Sequence, residues 1–377
     1  MKTTNVNTRQ SGIELLKIIA MIGIVLSHAM PCRERMFLEP SFTNFININS
    51  PTHSLQKFII ILFRDLGQIS NIIFVISSAW FLTKSTKVKK EKVSNMILTT
   101  FFVSLSALVI FFVLGVSVSK SQIIRLLFPV SFNIYWFIQC YLLMYIIHPL
   151  LNKIIDNINQ KSHLQYSIIF IILNVIINFV FRDLYYNTLL VGFIGIYFIT
   201  AYFKKYMSNI IRNKKFIVIT FLFGIIGWIG VNGIINIMGL RYGIFYNKMQ
   251  YFNHILNPFY LLIAFSLFFM FKQFNFKNKF VNYISSLTLL IYLLHANPFL
   301  QYYYKYIIFG KIYKTFTYNN IVLWIVLWAA ILFVLSTIAA IIFDKILRPI
   351  IQKISQMILW LLKKIYSKIE MMIFKLN

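Results

Sequence analysis

The sequence predicts an all-α integral membrane protein, and three observations carry that prediction. Hydrophobic residues make up 59% of the 377 and charged residues only 12%, about half the charged share of an ordinary soluble domain. Apolar runs recur from Ile13 to Phe343, each near the ~20 residues that a helix needs to cross a bilayer. Basic clusters and turn residues separate the runs. Lipid offers the backbone no hydrogen-bond partner, so each span is predicted to be helical.

Taken in order, the apolar windows predict about ten spans. The first, 13–30, ends where "SHAMPCRER" turns polar; the second, 67–83, stops at "KSTKVKKEK" (84–92). Spans at 95–118, 133–151, 166–181 and 188–203 follow, the last closed by Lys204 and Lys205. The seventh, 216–239, starts after "RNKK" (212–215), and 255–271 stops before "KQFNFKNK" (272–279). Runs at 280–300 and 320–343 complete the set. Between the first two spans, 31–66 reads as an external loop. Its second half, "SLQKFIIILFRDLG", is expected to lie in the interface or re-enter, because Arg64 and Asp65 interrupt it.

The net charge of +28 would point to nucleic acid in a soluble protein, but here the cations sit between spans, with alternate loops poor in them. Placing both termini in the cytoplasm puts roughly twice as many Lys and Arg inside as outside, as membrane topology requires. The expected partner is therefore membrane lipid and not nucleic acid, and a bacterial cytoplasmic membrane is the expected location. Cys32 and Cys140 are too few for a disulfide framework or a four-ligand metal site. With no repeat and no linker, residues 1–350 read as one transmembrane domain. Residues 351–377 read as a basic amphipathic tail, a helix lying on the inner leaflet.

Chemistry is expected where lipid disfavours a residue. In "ELLKIIAMIGIVLSHAM" (14–30) Lys17 and His28 are eleven residues apart, almost three whole turns, so they share a face about 16 Å apart along the axis. Glu14 falls near the same stripe and can neutralise Lys17. Two readings stand: a functional stripe facing a bundle interior, or interfacial snorkelling by Glu14 and Lys17 with His28 capping the outer end.

"SGIELLKIIAMIGIVLSHAM" resembles the first helix of the acyltransferase 3 family of integral-membrane O-acyltransferases, in which an acidic residue precedes a basic one and a histidine follows after ten residues. "NIIFVISSAWFLTK" (71–84), "YWFIQCYLLMYIIHPLLN" (135–152) and "LTLLIYLLHANPFL" (287–300) are similar to later spans of the same family, in the family's order. This chain departs from the pattern with Lys17 for the usual arginine, which removes a bidentate fork, and with Ala79 where glycine usually follows serine.

The resemblance implies transfer of an acetyl group from acetyl-CoA to a hydroxyl of a cell-surface or capsular polysaccharide or its lipid-linked precursor. His28 and His295 become the candidate catalytic residues, and Lys17 with Glu14 the candidate donor-binding pair. No resident cofactor or metal is expected. Tyr292 lies three residues before His295 and shares its face. It joins Tyr135 and Trp136 as candidates to line the acceptor path, although aromatics at a span's end also serve as interfacial anchors. His295 equally suits a satisfied core histidine, and His148, before Pro149, suits a helix-end cap. The rival functions are a transporter or flippase for a lipid-linked glycan and a structural partner of a polysaccharide synthase. No internal symmetry of the transporter kind is visible.

Overall fold

A computed structural model describes residues 10–29, 55–180, 185–244, 253–302 and 320–374. Every regular element among them is helical: α1 (Ser11–His28), α2 (Leu55–Leu82), α3 (Lys90–Val113), α4 (Lys120–Leu127), α5 (Trp136–Asn157), α6 (Gln160–Val180), α7 (Tyr185–Tyr206), α8 (Lys214–Tyr242), α9 (Pro258–Lys272), α10 (Lys279–Ser286), α11 (Thr288–His295), α12 (Pro298–Tyr302) and α13 (Ile321–Phe374). A 3-10 turn, Ile210–Arg212, joins α7 to α8. Seven of these helices, α1, α2, α3, α5, α7, α8 and α13, are long and apolar enough to span a bilayer. The expected ten are therefore not reached among the described residues. The run at 255–271 forms a helix of only 15 residues, and the run at 280–300 breaks into three pieces.

The bundle is built around α1. Glycines let it approach α2 closely: a Cβ on Gly23 would strike Ser70 Oγ, and one on Gly67 would lie 2.5 Å from Ser27 Oγ. Gly12 does the same at the other end, against the backbone of Phe271 in the last turn of α9 and of Phe274 just beyond it. Large buried side chains, among them Phe193, Tyr197, Tyr260 and Phe268, fill the space among α2, α5, α7 and α9. Much of α3, α6, α8 and α13 keeps its apolar side chains exposed, as a lipid-facing surface requires.

One sequence expectation is corrected: the segment before the second span does not re-enter, because α2 runs unbroken from Leu55 through Arg64 and Asp65. The reason is that Asp65, 1% exposed, is fully met inside the protein. Its Oδ1 accepts from Arg64 Nε and Nη2 at 3.3 and 3.2 Å and from Asn253 Nδ2 at 2.8 Å, while Oδ2 accepts from Trp228 Nε1 at 3.1 Å and Asn232 Nδ2 at 3.2 Å. A carboxylate so surrounded is stable within a span. The expected tail begins inside α13, which continues for 54 residues across Pro349. At 1.5 Å per residue this helix is roughly 80 Å long, far more than a ~30 Å hydrocarbon core. The first part of the expected loop at 31–66, residues 31–54 with Cys32, lies outside the described residues.

His148 is also not at a helix end. It is fully buried inside α5, where Pro149 removes the N–H that Tyr145 O would otherwise accept. His148 Nδ1 donates to that carbonyl at 2.5 Å, so this histidine repairs the helix that its neighbour interrupts.

Asp65→Leu should cost about 3–5 kcal/mol, because it takes the carboxylate away from a half-buried guanidinium and from the Trp228, Asn232 and Asn253 donors; thermal unfolding in detergent reads the loss, with Asp65→Asn expected to lose less. A pH effect follows from His254, in the α8–α9 connection, whose burial pushes it down to about 4. The unfolded chain takes up that proton near pH 6.5 and the folded chain does not, so stability is full above pH 6.5 and declines towards pH 4. His254→Gln should flatten the unfolding temperature over that interval.

Candidate functional site

The ends of α1 carry two polar constellations. At its start, Lys17 Nζ lies 2.8 Å from Glu14 Oε2, and Ser285 Oγ, at the end of α10, donates to the same carboxylate oxygen at 2.5 Å. Ser11 Oγ donates to Asn282 Oδ1 at 2.9 Å and accepts from the Asn278 backbone N–H at 2.8 Å. Glu14 is thus buried and held from two helices, and Lys17 is half-buried beside it.

Three turns along, at the other end of α1, His28 Nδ1 lies 3.1 Å from His295 Nε2. The breaks in the 280–300 run make this meeting possible. Leu287 leaves the helix between α10 and α11, and Pro298 prevents α11 from continuing past Ala296. His295 therefore stands in a last helical turn, aimed across at α1. Its Nδ1 lies 2.6 Å from Ile291 O. A carbonyl only accepts, so Nδ1 carries the proton and Nε2 is the acceptor; His28 Nδ1 must then be the donor in the contact between the rings. That assignment leaves Nε2 of His28 as the basic nitrogen of the pair. Positive charge arising on the rings meets the Ile291 carbonyl and the negative pole of α11.

Aromatic residues hold the pair from behind. Tyr292 has its ring 6.0 Å from His295 and 6.5 Å from His28, and it packs on Phe137 at 5.9 Å and Tyr135 at 6.2 Å. Tyr135 is 1% exposed, so its ring faces no open path here. Its hydroxyl donates to Leu293 O at 3.1 Å and accepts from Asn297 Nδ2 at 2.9 Å, clamping the end of α11 whose carbonyls lack helical partners. Trp136 points elsewhere, half-buried against Phe137 and Phe193 at 5.8 and 6.4 Å. The structure thus brings together His28, His295, Tyr292 and Tyr135, leaves Trp136 on the α7 side, and keeps Glu14 and Lys17 at the opposite end. Asn297 was missed by sequence reasoning; its only signal was its place two residues after His295, before a proline. Among the described residues no group of three or more His, Cys, Asp or Glu side chains is placed to hold a metal.

Seven helices long and apolar enough to cross a membrane define a multi-pass membrane protein, and two imidazoles in contact inside it can pass a proton between them. The class is narrowed by comparison: a family model described as an acyltransferase domain matches residues 10–345, and the chain belongs to the acyltransferase 3 family. It is an acyltransferase. No curated protein and no solved structure matches the chain.

Tyr135→Phe should leave the Leu293 carbonyl and the Asn297 amide without this partner, at a cost of about 1–3 kcal/mol. With His295 loosened, kcat should fall while donor KM holds. An unchanged kcat in a variant of lowered unfolding temperature would assign Tyr135 to stability alone.

Proposed function

We propose that the protein transfers an acetyl group from acetyl-CoA to a hydroxyl of a cell-surface or capsular polysaccharide, or of its lipid-linked precursor. The His28–His295 contact carries this reading. Nε2 of His28 takes the proton from the acceptor hydroxyl as its oxygen attacks the thioester carbonyl; the new C–O bond forms, the C–S bond breaks, and the imidazolium returns the proton to the departing thiolate. His295 shares the positive charge through the bond between the rings, and Tyr292 borders both. Lys17, oriented by Glu14, is the donor-side cation.

The basic loops favour placing both termini and the Glu14–Lys17 end in the cytoplasm, where CoA resides, and the imidazole pair towards the outer face. The separation of about 16 Å along α1 suits a donor with a long pantetheine arm. A glycan transporter would not need the proton chemistry that this pair supplies.

Membranes given acetyl-labelled acetyl-CoA should yield labelled glycan, and His28→Ala should lower the label by 10²-fold or more at equal protein abundance. Full activity in that variant would remove His28 from the chemistry. Lys17→Arg should keep or raise activity, since arginine retains the charge and adds a second donor. Label appearing only with a longer acyl-CoA would reassign the donor.

A further inference from the structure

At the Lys17 end of the bundle, two lysines flank one indole and two further cations stand beside them in the chain's fold. Lys204 Nζ in α7 and Lys272 Nζ at the end of α9 lie 5.2 and 5.1 Å from the ring centre of buried Trp80, within cation–π range. Lys84, just after α2, follows Thr83, whose Oγ1 accepts from Lys204, and Arg212 in the 3-10 turn follows Ile211, whose carbonyl accepts at 3.2 Å from Gln273 beside Lys272. Among the described residues none of the four is in an ion pair.

Helix capping accounts for part of this arrangement. Lys204 donates to Trp80 O and, at 2.8 Å, to Thr83 Oγ1, and so caps α2. The helices α2, α7 and α9 all end here, and each C-terminus supplies about half a negative charge, so roughly 1.5 of the four positive charges are balanced. About 2.5 remain. The side chains of Lys84, Lys272 and Arg212 make no hydrogen bond among the described residues, so capping does not explain them. Lys204 and Lys272 are half-buried and Lys84 and Arg212 exposed, so the four charges lie where an anion can reach them from water.

We propose that Lys84, Lys204, Lys272 and Arg212 form a phosphate site around Trp80, and that the phosphates of the acyl donor occupy it; this second part rests on the CoA reading above. The 3′-phosphate of CoA alone carries about −1.5 to −2 charges, and its diphosphate adds more, which is enough to offset the excess. The position also fits. The first turn of α1 lies against the end of α9 through Gly12, so a donor anchored here starts at the Lys17 end of α1, with the His28 pair at the other. The phosphate of an anionic lipid offers the same chemistry, with one charge.

The test uses the full chain in zwitterionic nanodiscs. Lys84→Gln/Lys272→Gln breaks no hydrogen bond among the described residues and leaves the Lys204 cap in place. In this variant KM for acetyl-CoA should rise tenfold or more with kcat within twofold, while KM for acetyl-pantetheine, which lacks the nucleotide, should not move. Pyrophosphate binding by calorimetry should weaken tenfold and should fall with salt in the unmodified protein. Equal pyrophosphate binding by the two proteins would overturn the phosphate site, whether or not either turns over. Failure of the unmodified protein to use acetyl-CoA, with pyrophosphate binding still dependent on the lysines, would overturn the donor reading and leave the phosphate site. An unchanged acetyl-CoA KM, with the variant losing only co-purified anionic lipid, would overturn the donor assignment and give the site to lipid.

Discussion

The contact between His28 and His295 joins residues 267 positions apart in the chain, and most of the bundle is arranged so that it can form. A ring nitrogen in lipid has no water to bond, so an imidazole there needs a partner fixed at hydrogen-bond distance. One ring is fixed by α1, seated on α2 through Gly23 and Gly67. The other is fixed by α11, an eight-residue helix too short to cross a membrane and stopped where its last turn faces α1. Its backbone end is held by Tyr135 and Asn297. The single contact of 3.1 Å therefore ties the first helix to α11 across the bundle, and the function proposed above depends on that tie.

The same constraint explains which features were legible in the sequence. Apolar length and basic punctuation revealed α1, α3, α5, α7 and α8 with ends displaced by a few residues, because lipid imposes a simple rule on such helices. It failed where polar groups are satisfied by distant residues. Arg64 and Asp65 read as an interruption of a helix, yet Trp228, Asn232 and Asn253 complete the carboxylate's shell from far along the chain, and α2 passes straight through. The 280–300 run failed in the opposite sense. It is apolar on average, and the polar Ser285, Ser286 and Thr288 around Leu287 were too few to mark the turn that sets His295 at a helix end.

For the site, helical periodicity placed Glu14, Lys17 and His28 on one face of α1, and the motif resemblance supplied His295 and Tyr292. What no local pattern shows is direction. Tyr135 and Trp136 are adjacent in sequence and were read alike, but the turn into α5 sends one under α11 and the other towards Phe193. Likewise His148 and His295 both sit near a proline. The first repairs a helix across Pro149 by bonding Tyr145 O; the second bonds Ile291 O and keeps its other nitrogen for His28. The difference between a structural and a chemical histidine here is the partner of the second ring nitrogen, which only the packing decides.

Charge is distributed along the bundle in a way that gives the chemistry a direction. At the Lys17 end, a carboxylate, a lysine and the cations around Trp80 lie among helix termini, where bound anions and counter-charges are stabilised. At the His28 end the imidazole pair, proposed as reactive, meets carbonyls and aromatic faces. Fixed cations cannot move along α1, and neither can the imidazoles, so a reaction requiring both has to use a substrate that reaches between them. A donor with phosphates at one end and a thioester at the other meets that requirement. The acceptor then needs to approach only the imidazole end, so the two substrates need not share one entrance.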